Sequence, residues 1–418
     1  MDRRISRRRV AQYGGLGLSV GLINGLYLPT TARARQVDPA ITGGKDLTDQ
    51  ELRTIGLSVT VQDRILEEFK AKSGVSDVSG TAAIFPDATA RILSGGASEF
   101  DTYEVIGERI PQLVDGDAIV PVPVEQLSNW QFARELFNTP DAERFGEGRT
   151  DISRQIYETE ERLALLMIPT VFNFDSVGYN PEFVTDEEAN TWTSIFDEKF
   201  KGKAAINVDP LIAMPEVALA MNTLGLSEVA NAGNLSDAEV DVAIEWLIEK
   251  KRNGQFRSLW GDFGELVNLM VSKEVIVADA WQPAVMAVKA QGVQCKYAVP
   301  SEGYRAWAIG ISVIKDTPNY DAAVAYANYW LSGPPSITVS EQGYYSPVTT
   351  IKDAFPAEKY GFWYEAQPWV GAPDRGIVEG DLRDGGSLDE RANNVGVWHQ
   401  YPDNYDYLTE RWDEFLNA

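Results

Sequence analysis

The sequence reads as an α/β protein of at least two domains, each a mostly parallel sheet flanked by helices, on three observations. At 418 residues the chain is longer than one compact core organises, which gives two domains with room for a third. Its composition, 44% hydrophobic and 11% aromatic, is that of an ordinary globular protein, so disorder is expected only at the ends. From Leu52 onward, short β-branched apolar runs alternate with helical stretches at the spacing of βαβ units.

Taken in order, Ser6-Arg7-Arg8-Arg9-Val10 sets an arginine pair before a glycine-diluted apolar segment, and Ala32-Arg33-Ala34 supplies small residues two apart. This pattern predicts a twin-arginine export signal, cut after Ala34, and so a protein free in the periplasm. A loose polar arm over residues 35–49 precedes the first lobe. That lobe opens with a strand over residues 53–59, a helix over 62–73, a helix over 88–93 and a strand over 102–106. The apolar run 163–171 continues into a tail ending in Asn180-Pro181. A helical stretch over 193–200, a strand over 204–208, a helix over 215–224 stopped by Gly225, and a helix over 240–251 build the second lobe. The strand 274–278 hands over at Trp281 to a helix opened by Pro283 and capped near Gly292, with further strands over 294–299 and 307–314. A helix follows to Leu331, and Leu408, Trp412, Phe415 and Leu416 mark an amphipathic C-terminal helix.

Charge and rare residues exclude much. Beyond residue 34 the chain holds 31 basic against 61 acidic residues, a net charge of −30, which repels nucleic acid and anionic lipid. Cys295 stands alone, so no internal disulfide can form, and its apolar surroundings read as a buried small side chain. His399 is the single histidine and reads as a surface or packing residue, which removes most metal sites and most acid–base enzymes. Phosphate-cradling, zinc-protease, dithiol and nucleophile-elbow motifs are absent beyond the signal, so no cofactor is expected. Asp381, Asp384, Asp389 and Glu390 do not keep calcium-loop spacing and read as a solvated loop.

The segments IVADAWQPAVMAVKAQGV, KYAVPSEGYRAW, DAAVAYANYWLSGPP and EQGYYSP, in this order, resemble the family 1 solute-binding proteins of ABC importers, the group that includes the spermidine/putrescine receptors. The resemblance implies a two-lobed periplasmic binding protein of type II-like architecture, with a ligand cleft between the lobes. Residues 50–171 with 282–331 would form one lobe, and 172–281 with 332–418 the other. It also implies a monomer without covalent chemistry that delivers a small organic solute, a polyamine or other amine-containing compound, to an ABC permease in the inner membrane.

Within that pattern Trp281 falls where the family places a cleft tryptophan. Tyr304 and Trp307 follow the second strand, and Trp260 and Asp209 are positioned for the second lobe to contribute. Aromatic faces with one or two acids are the chemistry that holds an organic cation. The chain departs from the polyamine pattern after Trp281, where Gln282, Pro283 and Ala284 stand instead of an acid. Arg305, if it faces the cleft, favours a carboxylate-bearing ligand. Tyr344, adjacent to Tyr345, raises the alternative of a ferric-ion receptor, since paired phenolates ligate iron in related receptors. An exported enzyme is the remaining alternative.

Overall fold

Two long strands, buried along their whole length, carry the architecture. The structure, a computed structural model, describes residues 37–139 and 152–418, so the export signal expected over residues 1–34 lies outside the described residues. In chain order the principal strands are β1 (Glu51–Gly56), β2 (Asp77–Ala82), β3 (Thr102–Ile106), β4 (Ile168–Tyr179), β5 (Ala204–Asn207), β6 (Phe256–Trp260), β7 (Val277–Ala280), β8 (Tyr304–Ile314) and β9 (Val395–Trp398). They join in the order β2-β1-β3-β8-β4-β7-β5-β6, with β9 added beside β8. The two ends are parallel, β2-β1-β3 and β7-β5-β6, as the alternation predicts. The centre is not: β8 runs antiparallel to both β3 and β4, and β4 antiparallel to β7, so the sheet is mixed.

Strand β4 serves both halves. Its first residues pair with β8, Ile168 opposite Ile311, and its last pair with β7, Tyr179 opposite Val277. Phe172 and Phe174 belong to one hydrophobic cluster, with Tyr326, Trp330 and Tyr345, whereas Val177 and Tyr179 belong to a second, with Trp192, Trp412 and Phe415. A third cluster gathers Trp260, Val285, Cys295 and Tyr297. The near-continuous apolar run of β4 is what a strand covered on both faces requires. Of the segment 332–418, residues such as Val339, Trp363 and Val395 pack in the first cluster, and Leu408, Trp412 and Phe415 in the second.

The helices that matter for the site are α1 (Asp63–Ser73), α2 (Pro210–Leu224), α3 (Asp237–Arg252), α4 (Gln282–Ala290), α5 (Tyr320–Trp330) and α6 (Tyr405–Asn417). Helix α3 opens on a capping box in which Ser236 and Glu239 bond each other's backbone, and it closes on Lys250, Lys251 and Arg252, which suit the negative end of the helix dipole. Helix α2 begins at Pro210 rather than at Pro215. Asp209 caps it, and the chain runs straight through Pro215.

Other departures follow from tertiary pairing. The strand expected over 294–299 shrinks to Lys296–Tyr297, the helical stretch over 193–200 forms two 3-10 turns, and β9 carries no strand signal of its own but finds a partner in β8. Between the helices expected over 62–73 and 88–93 lies β2, paired along its length with β1.

Candidate ligand site

Asp175 on β4 and Arg305 on β8 face each other in register. The Arg305 guanidinium donates through Nη2 to Asp175 Oδ2 at 2.5 Å and through Nε to Glu216 Oε1 on α2 at 2.8 Å. All three side chains are buried, Arg305 and Glu216 at 2% exposure and Asp175 at 1%. Successive strand side chains alternate between faces, so Trp307, two residues on from Arg305, shares its face and donates its indole N–H to Asp175 Oδ2 at 2.8 Å. Tyr344 packs edge-on against Trp307, with ring centroids 5.9 Å apart.

A third carboxyl, Asp279 on β7, sits beside this pair. It accepts the indole N–H of Trp260 at 2.6 Å and the backbone N–H of Asn207 at 2.9 Å. Trp260 is fully buried, and half-buried Trp281 meets it edge-on at 4.9 Å. Two carboxyls therefore bond one guanidinium, and the third lies beside them. Burial pushes Asp175 and Asp279 up to about 6, with Arg305 and the indole donors pulling the other way. Glu216 is raised further, by burial first and then by the charge of Asp279. Asp175 Oδ1, Glu216 Oε2 and both polar atoms of the Asn173 amide are buried without a hydrogen-bond partner. Such atoms cost free energy unless a donor or acceptor meets them.

Glu108, which follows β3, approaches from the other side. Burial pushes it up to about 7 against the pull of Arg109, and its Oε1 lies 3.6 Å from His399 Nδ1. His399 is thus a buried packing residue, with Nη1 of Arg305 at 3.4 Å from Nδ1 and Nε2 on the carbonyl of Leu211.

Of the residues singled out from the sequence, Arg305, Trp307 and Tyr344 come together around Asp175, and Trp260 and Trp281 around Asp279. The other two go elsewhere. Tyr304 points from the opposite face of β8, where its ring lies under Arg391 at 4.7 Å, and Asp209 is the cap of α2, accepting from the N–H of Leu211 at 2.9 Å. Asp384 is not fully solvated: it is half-buried and accepts the N–H of Tyr297 at 3.1 Å. Sequence reading missed Asp175, Glu216, Asp279 and Asn173. The signal was an acid or amide inside an otherwise apolar run, in Phe172-Asn173-Phe174-Asp175, Val277-Ala278-Asp279-Ala280 and Met214-Pro215-Glu216-Val217.

The paired tyrosines separate. Tyr344 faces Trp307, and Tyr345 stacks on Phe172 at 5.4 Å. Burial and then the charge of Asp175 raise Tyr344 above the usual phenol range, which disfavours a phenolate ligand. Among the described residues no group of three or more His, Cys, Asp or Glu is arranged to hold a metal ion.

Solved structures of similar fold come from several organisms. The spermidine/putrescine ABC-transporter substrate-binding protein PotD of Streptococcus pneumoniae aligns over 88% of this chain and 99% of its own, with 15% identity and a TM-score of 0.62. The TpPotD lipoprotein of Treponema pallidum aligns over 88% and 99%, with 14% identity and a TM-score of 0.62. IdiA (FutA) of Trichodesmium, solved with iron and citrate, aligns over 88% and 98%, with 15% identity and a TM-score of 0.53. At these identities the likeness is one of fold, the two-lobed periplasmic binding protein. No curated protein sequence matches. The sequence profile of the bacterial extracellular solute-binding proteins matches residues 64–361, more than two thirds of the chain and all of the strands that carry the buried carboxyls, and the protein belongs to that family.

Proposed function

We propose that this solute-binding protein captures a small organic cation, an amine of the di- or polyamine class, in the periplasm and passes it as a monomer to an ABC permease in the inner membrane. The observation that carries the reading is a buried cluster of acids: Asp175 and Glu216 both bond Arg305, Asp279 lies beside them, and Asp175 Oδ1 has no hydrogen-bond partner. An ammonium group supplies an opposite charge and the missing donor. Trp281, Trp307 and Tyr344 offer the aromatic faces that hold such a cation and keep water out.

The reading answers the departure seen in the sequence. The acid missing after Trp281 is replaced from β4, α2 and β7. Arg305 is bonded to two carboxyls and is not left to anchor a carboxylate ligand. Closure of two lobes about β4 and β8 accounts for ligand contacts arriving from both halves. The hydrophobic clusters favour drawing the lobes with residues from 339 to 395 on the first lobe and α6 on the second. No step requires catalysis. The arginine pair at Arg7-Arg8 and the small residues Ala32 and Ala34 support export.

The test is a thermal-shift screen of the purified protein against polyamines, amino acids, quaternary amines and ferric citrate. A ligand at 100 times its Kd adds about 2.7 kcal/mol to the folded state. Stabilisation by di- or polyamines is expected, and stabilisation only by carboxylate compounds or ferric citrate would end the reading.

A further inference from the structure

On the face of β8 away from Arg305, two further guanidiniums are enclosed together. Arg383 precedes the short helix Leu388–Asn393, and Arg391 lies within it. Arg391 is 0% exposed and Arg383 4%. Both are held by neutral groups. Arg383 donates to the backbone carbonyl of Trp363 and, at 3.3 Å, to that of Gly343, and it lies over the rings of Tyr345 at 4.3 Å and Trp363 at 4.7 Å. Arg391 donates to the carbonyls of Phe174 and Asp384, each at 2.9 Å, and lies over Tyr304 at 4.7 Å and Tyr297 at 5.4 Å.

Carbonyl dipoles and ring faces stabilise a guanidinium without neutralising it. Among the described residues neither arginine forms an ion pair, and Asp384 is the acid whose charge bears on Arg391. Burial first, with the neighbouring charge of Arg391 adding to it, pulls Arg383 down to about 10. Buried charges are ordinarily paired, and an uncompensated one is costly.

The donors left unused gather about the ring of Phe174. Nε of Arg383, Nε of Arg391 and the hydroxyls of Tyr304 and Tyr345 are all buried without a hydrogen-bond partner. Tyr304 and Tyr345 flank Phe174 with ring centroids at 6.1 and 5.6 Å, and the Arg391 guanidinium stands 5.8 Å from it. The charges of both arginines bear on the Tyr304 hydroxyl. Gly385 lets the chain approach this group, since a Cβ there would stand 2.4 Å from Tyr304 Oη and 2.8 Å from Arg391 Nη1. The cluster therefore offers donors and positive charge, and what satisfies both is an acceptor that is negatively charged.

We propose that Arg383 and Arg391, with the hydroxyls of Tyr304 and Tyr345, hold a small monovalent anion of halide size, such as chloride. Two guanidiniums less the charge of Asp384 leave one positive charge, which a monovalent ion balances. Tyr304 and Tyr345 are both 0% exposed, and so closed a setting suits a single-atom ion and not a carboxylate-bearing solute. The ion is taken up as residues 383–391 fold onto β4 and β8, and it pins them there. Tyr304 and Phe174 adjoin Arg305 and Asp175 on their strands and so face the other way. The anion and the amine thus occupy opposite faces of the same two strands, and neither proposal rests on the other.

The experiment is thermal unfolding of the protein dialysed free of halide into sodium gluconate, with chloride then replacing gluconate at fixed ionic strength, repeated on Arg383→Met. An ion that binds only the folded state gives a saturating rise in Tm, here about 2–5 °C, and Arg383→Met should lose it. A rise that does not saturate, or one equal in the variant, is a bulk salt effect and overturns the proposal, as does no rise at all. Crystals grown in bromide decide the matter even if the variant does not fold: an anomalous peak within hydrogen-bond reach of Tyr304 Oη and Tyr345 Oη is expected, and its absence overturns the site.

Discussion

Pro215 and His399 settle one carbonyl between them. Pro215 lies inside α2 and has no N–H to give to the carbonyl of Leu211, four residues earlier, and the imidazole Nε2 of His399 takes that carbonyl instead. A carbonyl can only accept, so Nε2 carries the proton and the lone pair of Nδ1 is left facing Arg305 Nη1 at 3.4 Å. Burial, then the charge of Arg305, hold His399 well below the usual imidazole range, consistent with a neutral ring. The single histidine thereby ties α2 to the ion-paired strand β8.

His399→Ala should therefore destabilise the fold by about 1–3 kcal/mol, the cost of a buried polar group left unmade. Pro215→Ala in the same chain returns an N–H to Leu211 and should recover part of that loss. Urea denaturation of both single variants and the double variant checks it: strict additivity would show that the two residues do not share the carbonyl.

Asp175→Ala removes one of two carboxyls from a guanidinium that is 2% exposed. Breaking a buried pair by deleting one partner costs about 3–5 kcal/mol, so this variant should melt well below the native protein. Asp175→Asn keeps the Trp307 bond, should lose less stability and should still lose amine binding. Melting curves with and without putrescine separate the two effects.

Amine binding should strengthen as pH rises. Asp175 and Asp279 are pushed up to about 6 and Glu108 up to about 7, so at acid pH these sites hold protons that a cation must displace. The sign for the empty protein is opposite. Groups whose folded pKa is raised stabilise the fold below the ordinary carboxylate range of about 4 and lose that contribution as pH climbs through about 6 to 7. The empty protein should lose stability between about pH 4 and pH 7 while its affinity for an amine grows. Titration in two buffers of different ionisation enthalpy measures the protons released, and proton uptake on binding would contradict the assignment.

The two tryptophans near Asp279 should behave differently. Trp281 is half-buried; on the proposed reading Trp281→Ala should weaken cation binding by about 0.5–2 kcal/mol, roughly two- to thirtyfold in Kd, at little cost in stability. Trp260 is fully buried and donates to Asp279, so Trp260→Phe should lower stability as well. Equal losses of stability in both variants would contradict this division.

Cys295 should resist thiol reagents until the protein unfolds. It is 3% exposed, and burial pushes its thiol up to about 12. Labelling at the rate of a free thiol in the folded state would show that the third hydrophobic cluster opens locally.

The sequence alone carried the α/β class and most of the elements. Period and punctuation set these locally: the strand Thr102–Ile106 and the handover at Trp281 need only neighbouring residues to be recognised. A glycine at 292, with φ of +79°, ends α4's turn as its lack of a Cβ allows. Trp307 was marked because it follows a strand and Tyr344 because it adjoins Tyr345, and both lie beside Asp175.

Tertiary structure decided the rest, because it depends on which strands become neighbours. The register that sets Arg305 opposite Asp175 joins residues 130 positions apart, and Glu216 and Asp279 enter from two further elements. Arg305 looked like a free anchor for a carboxylate until those acids were placed around it. Tyr304, one residue away, looked equally suited to the cleft, but the two-residue period of β8 turned it to the opposite face, under Arg391. An acid in an apolar run announces that it is buried. Only the fold determines which charges it meets, and here Arg305 bonds two of these acids while the third takes the Trp260 indole N–H.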